Sequence, residues 1–142
     1  MYDALDVARY VINYENSQDR LVSNLRLQKL LYFIQAQFLV TSGYACFSDK
    51  IEAWDFGPVV PSVYHEYKIF GSSSIPRFLS HGTVSITPKD RSLIERILDK
   101  CSHYSTTELV SITHRQQPWR DAYDRKYDRT ISNRSIQSFF GG

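Results

Sequence analysis

A mainly α, compact single-domain helical bundle is predicted by three features of the chain. Apolar residues of Ser23–Gly43 recur at three- and four-residue steps and spread around most of a helix circumference, which marks a central helix. Several flanking stretches carry narrower stripes at the same spacing, most of them behind a residue able to cap or open a first turn. Only short segments, about 51–56 and 83–86, have the composition of strands, so any sheet is expected to be one small β-ribbon.

Residues 3–14 open with Asp3 as a candidate N-cap, and Leu5, Ala8, Val11 and Ile12 form one apolar stripe. The polar run Asn16–Arg20 then serves as a short connector, which favours antiparallel neighbours. In the central helix the seam is Leu27, Leu30, Leu31, Ile34, Phe38 and Leu39, with Tyr32, Phe33, Ala36 and Val40 widening it. Ser23 can accept from a first-turn amide, and Gly43 can take the left-handed conformation that ends a helix.

Beyond Gly43 the helical pattern stops. Ile51–Phe56 reads as a strand, and Gly57-Pro58 predicts a turn from glycine's free φ and proline's fixed one. Pro61 suits a first helical turn, with Val63, Tyr64, Tyr67 and Phe70 forming a face before Gly71. Gly71–Ser74 reads as a loop. The alternation Thr83-Val84-Ser85-Ile86 suggests a second strand pairing with 51–56.

Thr87-Pro88 opens a helix carrying Leu93, Ile94, Ile97, Leu98 and Cys101, with Asp90 near its positive end. Ser105-Thr106-Thr107-Glu108 is a capping box for a helix through about His114. Pro118 opens another across Trp119–Tyr127, and Ser132 caps a last one bearing Ile136, Phe139 and Phe140. Residues 1–142 contain no repeat, long linker or second domain pattern.

At 142 residues, 42% of them apolar, one domain can bury roughly two-thirds of its unfolded surface without a metal or disulfide. Cys46 and Cys101 have no metal-ligand spacing and read as reduced intracellular thiols. The four histidines, at 65, 81, 103 and 114, form no helical zinc pair, and the six glycines form no phosphate loop. No positive case for catalysis, a metal or a cofactor follows. MYDALDVARY lacks the features of a secretion signal, and Leu30–Val40 is too short to cross a bilayer, so a cytoplasmic protein is expected.

The last third concentrates Arg115, Arg120, Arg125, Lys126, Arg129 and Arg134 around Trp119, Tyr123 and Tyr127. Cations interleaved with stacking aromatics suit single-stranded nucleic acid, and a mobile-element nucleic-acid-binding regulator is the alternative reading. Asp121, Asp124 and Asp128 lie among these cations at spacings that favour surface salt pairs, and the net charge is only +2. Nucleic acid is therefore not the expected partner.

Three stretches, in order and at fitting separations, resemble the Panacea domain of SocA-like (also GepA-like), phage-associated antitoxins. They are Asn24–Gln37 (NLRLQKLLYFIQAQ), Ala53–Tyr67 (AWDFGPVVPSVYHEY) and Glu108–Tyr123 (ELVSITHRQQPWRDAY), and Ile131–Phe140 matches as well. The resemblance implies a mainly helical domain that is the neutralising member of a toxin–antitoxin pair. It further implies inhibition of a neighbouring-gene toxin by direct protein–protein binding, or presentation of that toxin to an ATP-dependent protease. The stretch before Asn24 is too short for the N-terminal DNA-binding segment that some members carry, so autoregulation by DNA binding is not expected.

Candidate partner-binding residues follow from these motifs. Trp54, Phe56, Gly57, Pro58, Val59 and Val60 place large side chains beside a rigid, donor-poor turn, which suits an interface anchor; the alternative is that Trp54 fills the core and the turn only redirects the chain. His114 suits a partner contact or a helix C-cap, and Trp119 a binding residue or a packing anchor. Tyr64 offers an apolar body with a hydroxyl needing a partner, and Arg120 a cation beside Trp119. An aromatic-rich surface also suits a homodimer.

Overall fold

Ser23 accepts a hydrogen bond from the Arg26 amide at 3.2 Å, which caps the helix α2 (Asn24–Thr41). Gly43, just past its C-terminus, has a φ of +78°. In the computed structural model, which describes residues 1–77 and 85–141, α2 is the axis of the molecule. It follows α1 (Ala4–Ser17) and precedes the strands β1 (Ile51–Trp54) and β2 (Gly57–Val59). Then come α3 (Pro61–Tyr67), a 3₁₀ turn at Lys68–Phe70, α4 (Pro88–Cys101), α5 (Thr106–His114), α6 (Gln117–Tyr123), β3 (Thr130–Ile131) and α7 (Asn133–Gly141).

Among the described residues, α1, α3, α4, α5, α7 and β2 pack on α2. Its Leu27, Leu30, Leu31, Tyr32 and Ile34 are wholly buried. Burial of each such aliphatic side chain is worth roughly 1.5–3 kcal/mol.

Polar side chains of the same helix reach the backbone of the irregular segments, which supplies partners that those segments cannot find locally. Gln35 accepts from the Cys46 and Phe47 amides and donates to the Phe47 carbonyl. Gln28 accepts from Val60 N at 2.9 Å and donates to Asn24, which in turn donates to the Tyr64 carbonyl. The Arg26 guanidinium donates to the Cys101 and Tyr104 carbonyls, each at 2.9 Å, and so satisfies and neutralises the C-terminal end of α4.

The sheet is antiparallel with the order β2-β1-β3. Trp54 faces Gly57, so the chain reverses through Asp55-Phe56, and Gly57-Pro58, expected as the turn, instead begins β2. Pro58 is tolerated there because β2 is an edge strand and its partner Ala53 turns its own amide the other way, to the Arg129 carbonyl at 2.8 Å. The expected pairing of 51–56 with 83–86 does not describe this sheet. Residues 83 and 84 lie outside the described residues, Ser85 and Ile86 are in no strand, and β2 and β3 occupy both edges of β1.

Local signals set the other helix starts. Thr87 caps α4 through Asp90 N, Ser105 and Glu108 form the capping box of α5, and Ser132 accepts from Ser135 N before α7. The Asp3 side chain does not cap α1. Asp49 does so from a distance, accepting from Ala4 N at 3.0 Å while its other oxygen takes the Ser62 hydroxyl at 2.6 Å. The helix opened by Pro118 ends at Tyr123 rather than Tyr127, because the chain must leave it to return as β3 alongside β1.

Candidate functional site

The β1–β2 hairpin tip is held in a clasp made by α5, α6 and the segment that follows. His114 Nε2 lies 2.9 Å from the Asp55 carbonyl, the Trp119 indole N–H donates to the Trp54 carbonyl at 2.8 Å, and the Tyr123 hydroxyl donates to the Asp55 carboxylate at 2.6 Å. These groups come from one helix end and one helix face and form a continuous stack. The His114 and Trp119 rings are 4.3 Å apart, Trp119 and Tyr123 stack at 4.5 Å, and the Arg129 guanidinium sits 4.5 Å over the Tyr123 ring. Hydrogen bonding to Asp55 pushes the Tyr123 hydroxyl above its ordinary pKa, so it remains a donor.

From below, α2 fixes the same hairpin. The Lys29 side chain is wholly buried and its ammonium nitrogen donates to the Pro58 carbonyl at 2.8 Å. Burial lowers the Lys29 pKa to about 7. Gly57 has a φ of +109°, and a Cβ there would lie 2.7 Å from Lys29 Cε and 2.8 Å from Thr113 Oγ1. Glycine is thus required by both backbone and space.

With its backbone fixed on both sides, the tip projects Phe56 into solvent, 65% exposed. An open groove of about 730 Å³ lies beside it, walled by Trp54, Tyr64 and Leu25 and overhung by Tyr127, which is 93% exposed. Trp54 meets Tyr64 edge-to-face at 4.9 Å. The rim carries Lys68, Lys126 and Arg129 as cations and Glu52 and Asp55 as acids. Large apolar side chains exposed around a polar-rimmed concavity mark a surface for a macromolecular partner.

The residues singled out from sequence fall into three groups. Tyr64 lines the groove, and Val59 touches it from a mostly buried position. Gly57 and Pro58 are buried in β2 and offer a partner little surface; they set the direction of the tip. His114 and Trp119 are half-buried in the clasp, outside the groove lining, and Arg120 is exposed on α6. Sequence reasoning placed Phe56 at the end of a strand rather than in the turn, and did not identify Tyr127, Lys68 or Leu25 as its neighbours. A tyrosine flanked by Lys126 and Asp128 with no periodic apolar companions was the available signal.

The expected salt pairs among Arg115–Arg134 do not form among the described residues. Ion pairs there are Arg20 with Glu15 and Asp99, and Lys50 with Glu52. Arg125 instead donates to the Thr130 carbonyl, and Asp128 accepts from Thr130 N, so these side chains shape the segment that leads into β3. Burial pushes the Cys46 thiol up to about 12 and the Cys101 thiol up to about 11, well away from thiolate chemistry. Among the described residues no group of three metal-ligating side chains comes together, and no helix is long and apolar enough to cross a membrane.

Comparison with known proteins gives two matches. The family model "Antitoxin SocA-like, Panacea domain" matches residues 27–120, from the first turn of α2 to the middle of α6. Antitoxin SocA of Caulobacter vibrioides (strain NA1000 / CB15N) is 35% identical over 128 residues, covering 82% of this chain and 68% of that protein. No solved structure matches the chain.

Proposed function

The chain belongs to the SocA-like antitoxins with a Panacea domain, and from that membership we propose that it neutralises a toxin encoded beside it by direct binding through the Phe56–Tyr127 groove. The observation that carries this reading is the exposure of Phe56 on a hairpin tip held from both sides, with Tyr127 exposed on the same groove. Preorganised aromatic anchors lose little conformational freedom on binding and account for a large share of interface energy. A stable complex of this kind buries about 1,600 Å² in total. The chain acts by occupancy, without catalysis or cofactor.

Induction of the neighbouring reading frame alone, then together with this protein, tests the proposal. Relief of toxicity with co-elution of both chains supports neutralisation by direct binding. Relief with loss of the toxin only when an ATP-dependent protease is present supports delivery to that protease. Absence of toxicity and of co-elution rejects a neighbouring-gene toxin as the partner, and self-association through the groove would then show as a concentration-dependent homodimer.

A further inference from the structure

The groove's charges are unevenly satisfied. Glu52 already pairs with Lys50 at 3.0 Å and accepts the Trp54 indole N–H at 3.0 Å; that hydrogen bond, helped by Lys50, holds its carboxyl below the usual range. Asp55 is engaged by the Tyr123 hydroxyl. Lys68, Lys126 and Arg129 have no ion-pair partner among the described residues; Arg129 lies on the Tyr123 ring and donates to the Arg125 carbonyl. Three rim cations therefore stand around exposed apolar side chains without an ion pair among the described residues.

We infer that the groove receives an acidic–apolar segment of the toxin, in which one large apolar side chain enters between Phe56 and Tyr127 while flanking carboxylates meet Lys68, Lys126 and Arg129. The inference rests on the groove being the toxin-binding surface and adds the chemistry of what enters it. Such a segment needs only local cations, one at each side of an apolar anchor. A nucleic-acid backbone needs a longer cationic track, and here Asp121, Asp124 and Asp128 interrupt it. Lys126, Tyr127 and Arg129 lie beyond residue 120, where the family match ends.

The test compares wild type with K68E/K126E, both exposed positions, in association-rate measurements against the purified product of the neighbouring reading frame. Association is expected to fall at least ~10-fold in the double variant, with the salt dependence of the wild-type rate flattened. On an array of peptides tiling that product, wild type is expected to capture those with an apolar residue flanked by Asp or Glu. Exchange of those acids for lysine is expected to restore association with K68E/K126E. A wild-type complex whose association rate is unchanged in K68E/K126E, or captured peptides that are neutral or basic, overturns the inference while leaving the groove's role in binding intact. A complex abolished by nuclease overturns it in favour of a nucleic-acid bridge. No complex with wild type overturns the neighbouring-gene reading and this inference together.

Discussion

The Trp119 indole N–H and the Trp54 carbonyl meet at 2.8 Å across 65 residues of sequence, joining α6 to the hairpin that carries Phe56. Trp119→Phe keeps a ring in the stack but leaves the Trp54 carbonyl without its donor. The variant is expected to lose about 1–2 kcal/mol in urea unfolding. Trp119→Ala also deletes the contacts to His114 and Tyr123 and is expected to cost at least ~1 kcal/mol more.

Gly57→Ala is expected to destabilise by on the order of 3 kcal/mol, from positive φ and from the approach to Lys29 and Thr113 together. Urea denaturation with matched m-values measures it. Gly43→Ala, where a Cβ would meet nothing within 4 Å, is strained by its φ alone and is expected to cost less.

Stability should depend on pH through Lys29. Its folded pKa of about 7 lies below the ordinary 10.5, so between these values the unfolded chain holds a proton that the folded one has lost. Stability then rises with pH, by about 1.5 kcal/mol from pH 7 to 8.5, and the contribution is smallest below pH 7, where both states are protonated. Above about pH 9 the raised thiols of Cys46 and Cys101 act oppositely, because only the unfolded chain then releases their protons. Chemical denaturation across pH 6.5–8.5 should show the rise in wild type and a flat profile in Lys29→Met.

Signals confined to a few residues were legible in the sequence. The caps at Ser23, Thr87, Ser105 and Ser132 and the stop at Gly43 were read directly, because each is a contact between near neighbours. What was not legible depends on residues far apart in sequence. Asp49 caps α1 from 45 residues away, which no inspection of Asp3 could disclose. The hairpin turn falls at Asp55-Phe56 because Lys29 and Gln28 bind the outer edge of β2 and its continuation, a condition set by the central helix. The same holds for the site: its aromatic residues were visible, but only the return of the chain through β3 brings Tyr127 over the groove beside Phe56.

The most direct measurement is the affinity of Phe56→Ala/Tyr127→Ala for the toxin by titration calorimetry, with thermal unfolding of the same variant and Phe139→Ala as a control outside the groove. Binding through the groove predicts an affinity loss of ~100-fold or more in the double variant with an unchanged Tm, and wild-type affinity in the control. Wild-type affinity in Phe56→Ala/Tyr127→Ala would contradict the assignment of this surface as the place where the toxin is held.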